Sequence, residues 1–127
     1  MTYGEAIRAH IALQALAKLQ LPLKKAKQLY DLRQKLEPDS TFYSEEEKKL
    51  FERYALKDEN GAPKVQGGLV TFPDTAARDD FEREFDALRN GLTEIEVKVI
   101  HLTEEDVGDQ RISAEVIDML DNIIKFE

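Results

Sequence analysis

The chain has 127 residues, no Cys, and 26 Asp and Glu against 18 Lys and Arg, a formal net charge of -8. That length fits one domain with a core of its own, and the lack of Cys excludes disulfide scaffolds, thiol nucleophiles and thiolate zinc sites. The charge is uneven, because residues 1–36 carry a net +5 and the remainder -13. Such asymmetry marks either an interaction surface or basic and acidic elements that complement each other within the fold or across a dimer.

Thr2 and Glu5 have the spacing of a capping box, so a first helix is expected from there to about Leu19. Ala6, Ala9, Leu13 and Leu16 share one face, with Ile7 and Ile11 beside it. Arg8, His10, Gln14 and Lys18 interrupt this segment, which makes it a poor signal peptide, and no apolar run reaches membrane-spanning length; a cytoplasmic setting is expected.

Pro22 suits the start of a second helix, in which Leu29, Leu32 and Leu36 recur at three and four residues. Pro38 opposes its continuation, yet Leu36, Tyr43, Leu50 and Tyr54 hold the apolar phase across it. Ser44 and Glu47 offer a capping box for a restart. The expectation is a long helical arm to residue 55, bent near Pro38. A continuous helix over 22–55 would be about 50 Å long, and the first helix covers only about 24 Å of it. Phe42, Tyr43, Leu50, Phe51 and Tyr54 then form a candidate surface for self-association, most simply as a homodimer, or for a partner protein. The alternative is a sharp bend at Pro38 that folds the arm back onto its own sheet. Lys24, Lys25, Lys27 and Arg33 form a candidate basic patch.

The stretch Lys57-Asp-Glu-Asn-Gly-Ala-Pro-Lys-Val65 has some calcium-loop spacing. With Gly61 sixth, Asp58 and Asn60 fall on ligand positions, but Leu56 and Gly67 occupy the first and twelfth, where an oxygen is required. It reads as a turn. Pro63–Gln66 and Leu69–Phe72 flank Gly67-Gly68, the pattern of a tight β-hairpin. Asp74 can cap a third helix with Ala77, Phe81, Phe85 and Leu88 on one stripe, and Asn90-Gly91 suggests a left-handed end.

Ile95, Val97 and Val99 alternate with Glu94, Glu96 and Lys98, which predicts a strand with one buried face, although Ile100 and Leu102 spoil the polar side. Thr103 can cap a short turn among Glu104, Glu105 and Asp106, and Ser113 a last helix carrying Val116, Ile117 and Leu120. Ile123-Ile-Lys-Phe126 either prolongs that helix or adds an edge strand. The expected class is therefore α+β in one domain over 1–127. Residues 1–56 form a helical hairpin with a long, Pro-bent second helix. Residues 57–127 supply a small antiparallel sheet, made of the hairpin and one further strand, and two more helices.

Nothing selects a catalytic centre. His10 and His101 have no short spacing to a ligand partner, and no pair of carboxylates stands out, so no cofactor, metal or small-molecule substrate is expected. The blocks LPLKKAKQLYDL, EEEKKLFERYALKDENGAPKV and EIEVKVIHLTEEDVGDQRISAEVIDMLDNIIKFE, in that order, resemble a family of small uncharacterised phage and prophage proteins of Gram-positive bacteria. Pro38-Asp39-Ser40 departs from the uninterrupted helix of that family. The resemblance implies a viral origin and a bacterial cytoplasm, and no activity. Together these readings point to a non-enzymatic phage accessory protein that works by protein–protein contact, in assembly or on a host factor. The competing expectation is a nucleic-acid-linked role, by direct binding through the basic helices or by acidic mimicry that inhibits a host nucleic-acid enzyme.

Overall fold

A computed structural model describes the whole chain, Met1 to Glu127. It is an α+β structure of five helices and two separate two-stranded sheets, in the order α1 (Tyr3–Leu16), α2 (Leu23–Tyr54), β1 (Val65–Gln66), β2 (Leu69–Val70), α3 (Thr75–Asn90), β3 (Ile100–Leu102), α4 (Glu104–Val107), α5 (Ala114–Met119) and β4 (Ile124–Phe126).

The Thr2–Glu5 capping box forms reciprocally, with Thr2 Oγ1 accepting from the Glu5 N–H at 3.1 Å and Glu5 Oε1 from the Thr2 N–H at 3.2 Å. These bonds hold the Glu5 carboxyl below its ordinary pKa. α1 then packs antiparallel on the first half of α2. The small faces of Ala6, Ala9 and Ala12 allow the close approach that Leu13 and Leu16 complete from one side and Leu29, Leu32 and Leu36 from the other.

Pro38 lies inside α2 without interrupting it, so the helix runs 32 residues and no restart at Ser44 is needed. Pro removes the N–H that would bond the Gln34 carbonyl, but both residues are exposed and water can solvate that oxygen. The neighbours Leu36 and Tyr43 are locked into packed surfaces on either side, which overrides the local cost.

The Gly67-Gly68 hairpin forms as expected, both glycines having positive φ (59° and 80°) and Val65 pairing with Val70. The preceding stretch is a turn: Asp58 Oδ1 accepts from the N–H groups of Asn60 at 2.8 Å and Ala62 at 3.0 Å, and Gly61 has φ +79°. Asp74 caps α3 through the Ala77 N–H at 2.8 Å. The end of α3 differs from expectation. Gly91 has φ -60°, an extended conformation open to any residue. Space is what Gly91 supplies, because an added Cβ would come 3.3 Å from Tyr3 Cδ2 while the Gly91 carbonyl accepts from the Tyr3 N–H at 2.9 Å.

The expected further strand does not join the hairpin. Ile95 and Val97 pack against the core without a ladder, Val99 is exposed, and pairing begins at Ile100. The inward face switches there, so that Ile100 and Leu102 are buried. The partner is the C-terminal segment, which becomes a strand parallel to β3 in the register Ile100↔Ile124, His101↔Lys125 and Leu102↔Phe126. A parallel pair requires a crossover, and α4 and α5 supply it. Thr103 and Asp106 form the capping box of α4. One aliphatic core thus joins α1, the first half of α2, β3, β4 and Leu120.

Candidate functional site

The residues expected to form an uncovered arm are largely enclosed within the chain. Tyr43 is 5 % exposed and Leu50 is also buried. α3 lies along the second half of α2, placing Phe85 6.2 Å from the Tyr43 ring and Phe81 4.8 Å from Phe51, centroid to centroid. Phe72, from the hairpin's exit, closes on Phe81 at 5.1 Å. Tyr54 is half-buried beside the Arg53–Glu84 pair at 3.4 Å. Phe42 alone of the five stays exposed, at 44 %, with its ring 5.4 Å from Tyr3. The arm does not fold back: α2 continues through Pro38, and α3 together with the hairpin's exit packs along its second half.

The basic patch is also partly occupied within the chain. Lys25 donates to the His101 carbonyl at 2.5 Å, at the edge of the parallel pair, where His101 Nδ1 meets Glu127 Oε1 at 3.0 Å. Lys27 is bonded to Asp31 Oδ1 at 2.6 Å, which raises its pKa. Lys24 and Arg33 have no ion pair.

An uncovered apolar surface lies elsewhere, at the turn between α1 and α2. After Leu16 the chain tightens, the Leu19 N–H bonding the Leu16 carbonyl at 3.0 Å, and Pro22 then restricts Leu21 to extended backbone before α2 begins. Gln110 fixes this link by accepting from the Gln20 N–H and donating to the Gln20 carbonyl, both at 2.7 Å. On the α2 side Leu23, Ala26, Lys27, Tyr30 and Arg33 recur at helical spacing, on a stripe distinct from the buried Leu29, Leu32 and Leu36. Between this stripe and Leu13, Leu16 and Leu21 lies a groove of about 340 Å3, in which nine of eleven lining residues are hydrophobic and the two others are Lys27 and Arg33. Leu23 is 86 % exposed at its mouth, and Tyr30 is half exposed. That volume falls in the range of about 300–1,000 Å3 occupied by binding sites that are mostly apolar with few polar groups. The sequence carried the signal as a second i, i+3, i+7 series beside the leucine stripe, but the stronger core periodicity masks it.

Ser40 Oγ lies 3.4 Å from His10 Nδ1 where the two helices touch, but Ser40 is buried and neither residue lines any of the larger clefts. No three His, Asp or Glu side chains converge in a way that would hold a metal ion, and no helix is long and apolar enough to cross a membrane. No protein-family model, curated protein or solved structure significantly matches the chain. The likeness to small phage proteins accordingly rests on the sequence blocks alone.

Proposed function

We propose that this chain is a non-enzymatic accessory protein, of phage or prophage origin, that acts by binding another protein through the groove between α1 and α2. The supporting observation is Leu23. A leucine 86 % exposed, on a helix whose other leucines are packed, beside a groove lined by nine apolar residues, is apolar surface left over after the fold has satisfied itself. The link fixed by Gln110 makes the groove preformed, which lowers the ordering cost of association. With Tyr43 and Leu50 buried within the chain, this reading moves the contact from Phe42–Tyr54 to Leu23–Arg33.

Photo-crosslinking in cells tests it. Benzoylphenylalanine in place of Tyr30 should give an adduct of discrete mass that Leu23→Glu abolishes, and the same probe in place of the exposed Arg83 should give none. Equal crosslinking from both positions, or none from either, would remove the reading.

A further inference from the structure

We infer that the occupant of the groove is an acidic amphipathic α-helix of the partner protein, an inference that rests on the protein-contact reading above. The first observation is charge. The groove's polar lining is only Lys27 and Arg33, and no carboxylate belongs to it. Lys27 has Asp31 within 2.6 Å, but the half-buried Arg33 has no ion pair, and neither do Lys18 and Lys24, which follow α1 and begin α2 on either side of the turn. An Arg guanidinium held against apolar surface without a counterion is a ready site for a carboxylate, which it can engage bidentately.

The second observation is shape. The stripe from Leu23 to Arg33 follows one face of α2 over about 15 Å, or three turns, beside an antiparallel neighbour. A third helix laid in that groove would bury its own residues at i, i+3 or i+4 and i+7, the usual way an apolar helical face docks between two others. Flanking Glu or Asp would then reach Arg33, Lys24 and Lys18.

A second copy in two-fold symmetric contact is disfavoured by the same charges. Isologous pairing would set Lys24, Lys27 and Arg33 against themselves around a shared apolar centre. Of the seven cations in residues 1–36, Arg8 and Lys27 form ion pairs and Lys25 and Lys35 donate to backbone carbonyls, which leaves Lys18, Lys24 and Arg33 for an acidic occupant.

The test uses the full chain and two labelled peptides of about 18 residues, five turns of helix. Both carry Leu at positions i, i+3, i+4 and i+7; one has Glu on the flanks and its twin has Lys. Fluorescence anisotropy at low salt should show saturable binding of the Glu peptide only, weakening several-fold as salt approaches about 0.2 M. Arg33→Glu should lower that affinity roughly tenfold and confer binding of the Lys twin. Leu23→Ala should weaken the Glu peptide with no change in melting temperature, since Leu23 is exposed. Equal binding of both peptides, or binding of neither, would overturn the acidic-helix assignment. The crosslink from position 30 separates the two levels. A mapped adduct on a segment that is not an acidic helix, or on a second copy of this chain, removes only the assignment, whereas no adduct removes both.

Discussion

The molecule is built around α2, and its two halves are packed by different means. The first half meets α1, β3, β4 and the region of Leu120 in an aliphatic core in which Ala6, Ala9, Leu36 and Leu120 retain no exposed surface. The second half meets α3 and the hairpin through rings, Tyr43, Phe51, Phe72, Phe81 and Phe85, of which only Tyr43 and Phe81 are buried outright. Alanine faces let backbones approach and enclose leucines completely, whereas aromatic rings bridge wider gaps and leave their edges to solvent. The α1–α2 end, which holds the groove, is the more fully enclosed, and the α3–hairpin end should be the first to open.

The largest effect should come from removing volume in the enclosed half. Leu36→Ala leaves a cavity among residues that cannot collapse onto it and should cost about 4 kcal/mol, near the top of the range for buried leucines. Phe81→Ala removes more atoms but sits at 8 % exposure in a cluster that can close over the gap, and should cost about 3 kcal/mol. Urea unfolding followed by far-ultraviolet circular dichroism measures both. Amide exchange should show α3 and the hairpin opening at lower free energy than α1 in the wild type, with Phe81→Ala widening that gap. Uniform protection across the two halves would erase the comparison.

The aliphatic half was the more legible in the sequence, and the reason is local. The Thr2–Glu5 box, the Ala6–Leu16 face and the Leu29–Leu36 series are each complete within a few residues, so periodicity alone shows them. The Gly-Gly hairpin and the Asp58 turn were equally local. What lay beyond reach was pairing at a distance. Nothing near Tyr43 or Leu50 indicates that α3, some thirty residues later, will return to cover them. Nor does Ile95–Val99 reveal that β3 begins only at Ile100, with the opposite face inward and the C-terminal segment as its parallel partner. The groove is hidden for a related reason. Leu23, Ala26 and Tyr30 look like ordinary surface until α1 is set beside them, whereas Tyr43, Leu50, Phe51 and Tyr54, which look uncovered in the sequence, pack within the chain and only Phe42 stays exposed.

The joint between the halves is Pro38. With an alanine there the Gln34 carbonyl regains its donor, and the gain should be on the order of 1–3 kcal/mol, the helical cost of proline reduced by the unfolded-state entropy that proline removes. Pro38→Ala should also couple the halves, bringing the exchange rates of α3 closer to those of α1. A loss of stability would mean that Pro38 sets a geometry both cores require.

A smaller effect concerns the second tie between the halves, where α1 begins against the end of α3. A Cβ on Gly4 would lie 2.6 Å from Arg89 Cγ and 3.2 Å from the Arg89 carbonyl oxygen. Gly4→Ala should therefore cost about 1 kcal/mol, the strain outweighing the helix propensity that alanine adds. In an Arg89→Ala background the nearer clash is gone and the same substitution should cost less. An equal cost in both backgrounds would assign the strain to the carbonyl alone.

The smallest effect tests the aromatic half by pH. Glu47 sits one turn after Tyr43 on α2, and burial raises its pKa above the ordinary value of 4.5; burial foremost, then the Glu47 charge, raises that of Tyr43. For a carboxyl whose pKa is higher folded than unfolded, the native state binds the extra proton between the two values, so stability falls as pH rises through that window. The penalty is absent below pH 4.5 and complete once pH exceeds the folded value. Glu47→Gln keeps the shape and removes the charge. It should raise the melting temperature at pH 7 by a small margin and leave it unchanged at about pH 4, where the wild-type carboxyl is largely protonated. Carboxyls held by caps move the opposite way. The bond to the Thr2 N–H depresses the pKa of Glu5, so its contribution is present above the unfolded value and fades as pH falls through the folded one. A Glu47→Gln gain that persists unchanged at pH 4 would show that the benefit comes from packing, and that the α3-covered face tolerates the Glu47 charge without cost.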